Sequence, residues 1–189
     1  MVKSRGIHKV SRKVPEDRDL DKAWKEIDEG SDRSAAIIGA AFVEDSLQCA
    51  LESRMIGLSP QVFNEIFNNV NGPLCSFSSK ILLGFALGLY GPVLKMDLNV
   101  IRNIRNAFAH TMMPITFDSH EVENELKNLK FLGWNYQNPS IPGHPDPKEF
   151  SFPDSNRKKY TNTVRLLVRR LFFFGLISNR KPPVPPKLP

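Results

Sequence analysis

From Ala35 to Val43, nine consecutive residues carry no polar side chain. The segment around them opens at Ser31-Asp32 and runs to about Arg54, with no proline inside. It reads as one long helix with a serine N-cap and an acid in the first turn. Ala36, Ile37, Ile38, Ala40, Ala41, Phe42 and Val43 go nearly all the way round it. A helix with so small a polar face is stable in the middle of a bundle, covered on most sides. The expected fold class is therefore all-α, a helical bundle of five or six helices with a Pro-rich loop and a basic C-terminal helix. The run is far short of the roughly 20 residues of a membrane span. So is the apolar stretch from Ile81 to Gly91. No membrane contact is expected, and the basic N-terminus has no apolar stretch behind it that would make a signal peptide.

Other segments supply the cover. Asp17 to Glu29 places Leu20, Trp24 and Ile27 at helical spacing, and Gly30 ends that helix. Ser59-Pro60 opens a short helix through Ile66, and Asn71-Gly72-Pro73 is a turn. Ser76 or Ser78 caps a helix holding Ile81, Leu82, Phe85 and Leu89. Gly91-Pro92 opens a helix to His110, and Asp118-Ser119 precedes another to about Leu129. The chain then divides into a flexible basic arm (1–15), a helical domain (16–132), an irregular loop (133–155), a basic amphipathic helix (156–178) and a Pro-rich disordered tail (179–189). The loop is assigned from Pro139, Pro142, Pro145, Pro147 and Pro153.

The net charge of +6 is unevenly spread. Residues 1–20 carry six basic and three acidic side chains, 21–155 eleven and seventeen, and 156–189 nine and none. An acidic body thus has two basic ends, and the body lacks the charge of a nucleic-acid binder. Cys49 and Cys75 have neither CxxC spacing nor a disulfide framework around them. They read as small core residues of a reducing compartment, which makes the protein cytoplasmic.

The helix ending at His110 holds the candidate site. Leu94, Leu98, Ile101 and Phe108 mark its apolar stripe, and Arg105 falls inside it. A buried guanidinium needs a counter-charge. The long helix offers Glu44, on a stripe with Ile37, Ala40, Ala41, Leu47, Leu51 and Met55. A Glu44–Arg105 ion pair between packed helices is the plain expectation. Arg102, Asn106 and His110, spaced i, i+4, i+8, form a polar row beside the stripe. For His110 alone, a favourable place at a helix C-terminus is the plain reading. Together, an Arg to neutralise a phosphate, a His to move protons and an Asn to orient them suit cleavage of a phosphodiester by its 2′-hydroxyl, without a metal. Lys80 offers a second candidate, binding an anion at the helix N-terminus after Gly72-Pro73-Leu74-Cys75-Ser76-Phe77-Ser78. A serine cap with a hydrophobic staple is the simpler account.

Three blocks resemble the mannitol operon repressor (MtlR) family. They are Ser31-Asp32-Arg33-Ser34-Ala35-Ala36-Ile37-Ile38-Gly39-Ala40-Ala41, Gly72-Pro73-Leu74-Cys75-Ser76-Phe77-Ser78-Ser79-Lys80-Ile81, and Ile101-Arg102-Asn103-Ile104-Arg105-Asn106-Ala107-Phe108-Ala109-His110 with Pro114-Ile115-Thr116-Phe117-Asp118. The resemblance covers most of residues 31–129 and implies transcriptional regulation. No short basic recognition helix follows a tight turn there, so a repressor or co-repressor acting through a protein partner, such as a DNA-binding regulator, is expected. A second resemblance, carried by Arg105, Asn106 and His110, is to the HEPN superfamily. It implies either a dimeric, metal-independent endoribonuclease or toxin using those residues, or an inactive interaction domain. A homodimer is expected, as this resemblance implies.

The remaining motifs exclude more than they offer. Without GxxxxGK[ST] or GxGxxG no nucleotide cofactor is expected, and no GxSxG elbow supports serine catalysis. His110, Asp118 and His120 match no standard metal spacing. Lys158, Asn162, Arg165 and Arg169 share one face of the C-terminal helix, opposite Val164, Leu167, Val168 and Leu171, with Phe172-Phe173-Phe174 at its end. Nucleic-acid or membrane-surface binding through that face is the sharper reading, and docking on the bundle with a solvated basic face the simpler one. The PxxP spacings of the tail read as unused disordered chain.

Overall fold

The computed structural model describes residues 17–55, 57–133 and 153–177. The basic arm, most of the Pro-rich loop, the tail and the side chains of Leu20, Phe173 and Phe174 lie outside the described residues. Among the described residues, seven α-helices, one π-helical turn and a helical turn at 131–133 make up the regular structure, and no strand occurs. The helices are α1 (Asp17–Glu29), α2 (Asp32–Glu52), α3 (Pro60–Phe63), α4 (Phe77–Ala86), α5 (Pro92–His110), α6 (His120–Leu126) and α7 (Asn156–Ile177). The all-α class holds. The count exceeds five or six because α3 is a single turn continued by the π turn Asn64–Asn68, and α6 is also short.

Local chemistry sets the starts. Ser31 accepts from Ser34 N at 3.1 Å, Ser59 from Val62 N at 3.3 Å and Ser76 from Ser79 N at 3.1 Å. Each satisfies an orphan donor of a first turn. Pro92 stands at the first position of α5, where its missing N–H costs nothing. Gly88 ends the α4 turn at φ +67, which only glycine adopts cheaply, and Leu89 N reaches back to Gly84 O at 3.0 Å.

α2 is the hub, packed against α1, α4, α5 and α7. It is long and apolar enough to cross a membrane by length and composition, yet half of its apolar window is buried by neighbouring helices. α7 is its most extensive neighbour. Gly39 permits this, since a Cβ there would stand 3.3 Å from both Tyr160 and Val164. Tyr160 is fully buried and donates to Ala36 O at 2.8 Å. Its ring lies 4.9 Å from that of Phe117, which in turn lies 5.2 Å from Phe108. On the far side Trp24 of α1 meets Phe42 edge-on at 5.2 Å. The helix after the Pro-rich segment therefore shares one core with the rest.

Two expectations need correction. Ile37 and Ala41 are exposed, although the sequence places them on the buried stripe with Ala40 and Leu47. The buried side is instead Ala36, Gly39, Ala40, Val43, Leu47 and Ala50. The reason is that α7 packs on the Ala36–Gly39–Ala40 side of α2, where Tyr160 donates to Ala36 O and Tyr160 and Val164 close on Gly39. Cys49 and Cys75 are exposed rather than in the core. Cys75 faces outward in the turn before α4, where its thiol meets Val70 O at 3.2 Å. Leu82 is also exposed, on the solvent side of α4.

Candidate functional site

Glu44 is the centre of a small charge cluster. Its Oε1 receives Lys80 Nζ at 2.8 Å, and its Oε2 faces Arg105 Nη2 at 3.8 Å. The Lys80 side chain is 6% exposed, Glu44 21% and Arg105 33%, so the tighter pair is also the drier one. The expected Glu44–Arg105 contact exists, but as the looser half of a three-membered cluster at the edge of the apolar stripe. Lys80 points inward to Glu44 and away from the anion role that its place near a helix N-terminus suggests. The N-terminus of α4 is already served by Ser76, whose hydroxyl also meets those of Ser78 and Ser79 at 3.0 and 2.8 Å.

Arg102, Asn106 and His110 occupy a different side of α5. Arg105 and His110 are five positions apart, which separates them by about 140° around a helix of 3.6 residues per turn. Arg105 turns to α2 while His110 is exposed in the last turn, where a cation is favoured by the helix dipole. Arg102 Nη2 donates to Asn103 Oδ1 at 3.2 Å, and Asn103 Nδ2 donates to Glu125 Oε1 at 2.7 Å. Arg102 Nε is buried without a hydrogen-bond partner. Asn106 is half-buried beside it. Within one chain the geometry does not bring Arg105 and His110 into a common cleft.

The basic face of α7 is largely spent inside the fold. Arg157 pairs with Asp32 at 2.6 Å and donates to Ile27 O and Gly30 O at 2.9 and 2.6 Å, clasping the α1–α2 corner. Arg165 pairs with Asp28 at 2.5 Å and lies 4.9 Å over the Trp24 ring. Lys158 pairs with Asp154 at 2.7 Å. Asn162 is half-buried and Arg169 exposed. Of the metal candidates, Asp118 accepts from Asn156 at 3.0 Å and His120 meets Asn124 at 3.0 Å. Among the described residues no group of three or more His, Cys, Asp or Glu is placed to hold a metal.

No family model matches this chain, and neither does any curated protein or solved structure.

A perturbed carboxylate with a clear structural task is Asp97, which no sequence motif marks as a candidate. Its carboxylate is fully buried and accepts from Lys130 N at 3.0 and 3.3 Å and from Phe131 N at 2.8 Å. Burial pushes its pKa up to about 6, while the two backbone N–H groups and the charges of Lys159 and Lys130 hold it down. A signal was present: Asp97 sits between Leu94 and Leu98, within the apolar stripe. An acid there must find donors inside the fold. Burial likewise pushes the Tyr160 hydroxyl well above the usual range, with Arg105 opposing it.

Proposed function

We propose that this protein is a non-enzymatic, cytoplasmic regulator, a repressor or co-repressor of the mannitol operon repressor kind, acting through a protein partner rather than by reading DNA. The observation that carries this reading is that several cations of the described helices are already paired within the fold. Lys80 and Arg105 share Glu44, Arg157 is bound to Asp32, Arg165 to Asp28 and Lys158 to Asp154. Affinity for a phosphate backbone comes from cations released to neutralise it, and these are committed elsewhere. The three-block resemblance supplies the regulatory role. The reading is tested by following mannitol-operon transcript in the host after deletion of this gene. Transcript rises without inducer if the reading is right and is unchanged if it is wrong.

A second reading, a HEPN-type ribonuclease, draws support from the row Arg102-Asn106-His110, in which His110 is exposed and Arg102 Nε lacks a partner. Such an enzyme would cleave RNA in EDTA, the 2′-hydroxyl displacing the 5′-oxygen to leave a cyclic phosphate and a free 5′-hydroxyl. Activity would vanish in His110→Ala and Arg105→Ala. Intact RNA after incubation with the wild type removes this reading.

A further inference from the structure

The turn between the π turn and α4 carries the chain's single Asn-Gly pair, Asn71-Gly72. Asn71 is exposed, and its side-chain amide makes no hydrogen bond among the described residues. Asparagine before glycine is the pair most open to deamidation, because glycine has no Cβ to shield the backbone nitrogen that attacks. That nitrogen is engaged here. Gly72 N donates to Asn69 O at 2.7 Å, and Asn71 N donates to Asn69 Oδ1 at 3.1 Å. Gly72 is buried against the end of the π turn, where a Cβ would stand 2.5 Å from Glu65 O, 2.7 Å from Ile66 O and 2.9 Å from Asn69 O. Leu74 N closes the turn on Ile66 O at 3.0 Å.

We infer that Asn71 is a deamidation site controlled by this turn: the reaction runs from a locally opened state and not from the closed fold. In the opened state Gly72 N loses its proton to base and attacks Asn71 Cγ. The N–Cγ bond forms, the Cγ–Nδ2 bond breaks, and Nδ2 takes a proton from water and leaves as ammonia. Water then hydrolyses the succinimide at one of its two carbonyls, which leaves aspartate or isoaspartate at position 71. In the closed turn the N–H is held on Asn69 O, away from base, and the wedged glycine cannot swing towards Cγ. Opening breaks both hydrogen bonds to Asn69, so the open population sets the rate. Isoaspartate adds the Cβ of residue 71 to the main chain directly before Gly72. A glycine fitted so closely against three carbonyl oxygens has no room for the shift, so the modified turn stays open. The approach to α4 loosens with it, since Cys75 N is held by Gly72 O at 3.1 Å. The inference is independent of the regulatory reading.

The test is peptide mapping by mass spectrometry of the full chain aged at mildly alkaline pH, folded and in urea. Conversion of Asn71 in the folded chain is expected to be about tenfold or more slower than in urea. Asn69→Ala, with unchanged circular dichroism, is expected to speed the folded reaction by about two- to tenfold, the weight of one hydrogen bond, and to leave the rate in urea unchanged. Aged wild type is expected to unfold at lower urea than fresh protein, and aged Asn71→Gln is expected to show no such shift. Equal rates in the folded chain and in urea, or an aged wild type as stable as the fresh one, overturns the inference. If Asn69→Ala does not fold, hydrogen exchange at Gly72 N of the wild type reads the opening directly. Slow exchange there is expected, and exchange as fast as in the unfolded chain overturns the inference.

Discussion

In the N-terminal half of α5 the Asp97 carboxylate is fully buried and held by two backbone N–H groups, whereas in the C-terminal half Arg105 is one third exposed and faces Glu44 at 3.8 Å. Both are charges on the packed side of one helix. Asp97 accepts from the N–H groups of Lys130 and Phe131 at the start of the helical turn at 131–133, so the fold depends on it. Arg105 shares its counter-ion with Lys80 and keeps contact with water, so the fold depends on it little. Where charge is buried and singly served it is structural; where it is shared and accessible it can be replaced.

The largest expected effect breaks the stronger end. Asp97→Ala orphans the N–H groups of Lys130 and Phe131 and is expected to cost about 2–4 kcal/mol in urea unfolding. A loss below the error of extrapolation would show that water serves those groups equally well.

A pH series sharpens the same point. The folded pKa of Asp97 is raised to about 6 from the ordinary 3.8, so the folded protein binds a proton that the unfolded chain has released. Stability from this group is full below about pH 4, declines as pH rises towards 6 and is flat above. The fall is on the order of 2–3 kcal/mol. Asp97→Asn is expected to remove that slope, which unfolding at matched pH values will show.

Effects at the weaker end are smaller and unequal. Lys80→Met removes the dry partner of Glu44 and is expected to cost roughly 1–3 kcal/mol. Arg105→Gln is expected to cost about 0–1 kcal/mol, because its exposure screens the pair. A larger loss for Arg105→Gln than for Lys80→Met, measured by the same unfolding, would reverse the order drawn from the geometry.

The helix starts were legible in the sequence because they rest on local chemistry. Ser31, Ser59, Ser76 and Gly91-Pro92 each mark an observed start. The Glu44–Arg105 contact was legible because both residues lie on or beside apolar stripes. The destination of Lys80 was not, since its position near a helix N-terminus suits an anion equally well and only the approach of α4 to Glu44 decides. The exposure of Ile37 and Ala41 was hidden for a related reason. An almost wholly apolar helix announces that it will be covered, but not which strip its neighbours will leave open. The role of Arg157 depends on Asp32, 125 residues away in the chain, and no local pattern carries that information.

Several cations of the described helices are paired within the fold, and the proposed regulator leaves the reading of DNA to a partner. Fluorescence anisotropy with labelled mannitol-operon promoter duplex and a scrambled duplex, each across a salt series, tests it most directly. The predicted result is equal affinity for the two duplexes at every salt concentration, with no tight complex at physiological salt. A tight complex with the promoter, steeply salt-dependent and absent with the scrambled duplex, would contradict it.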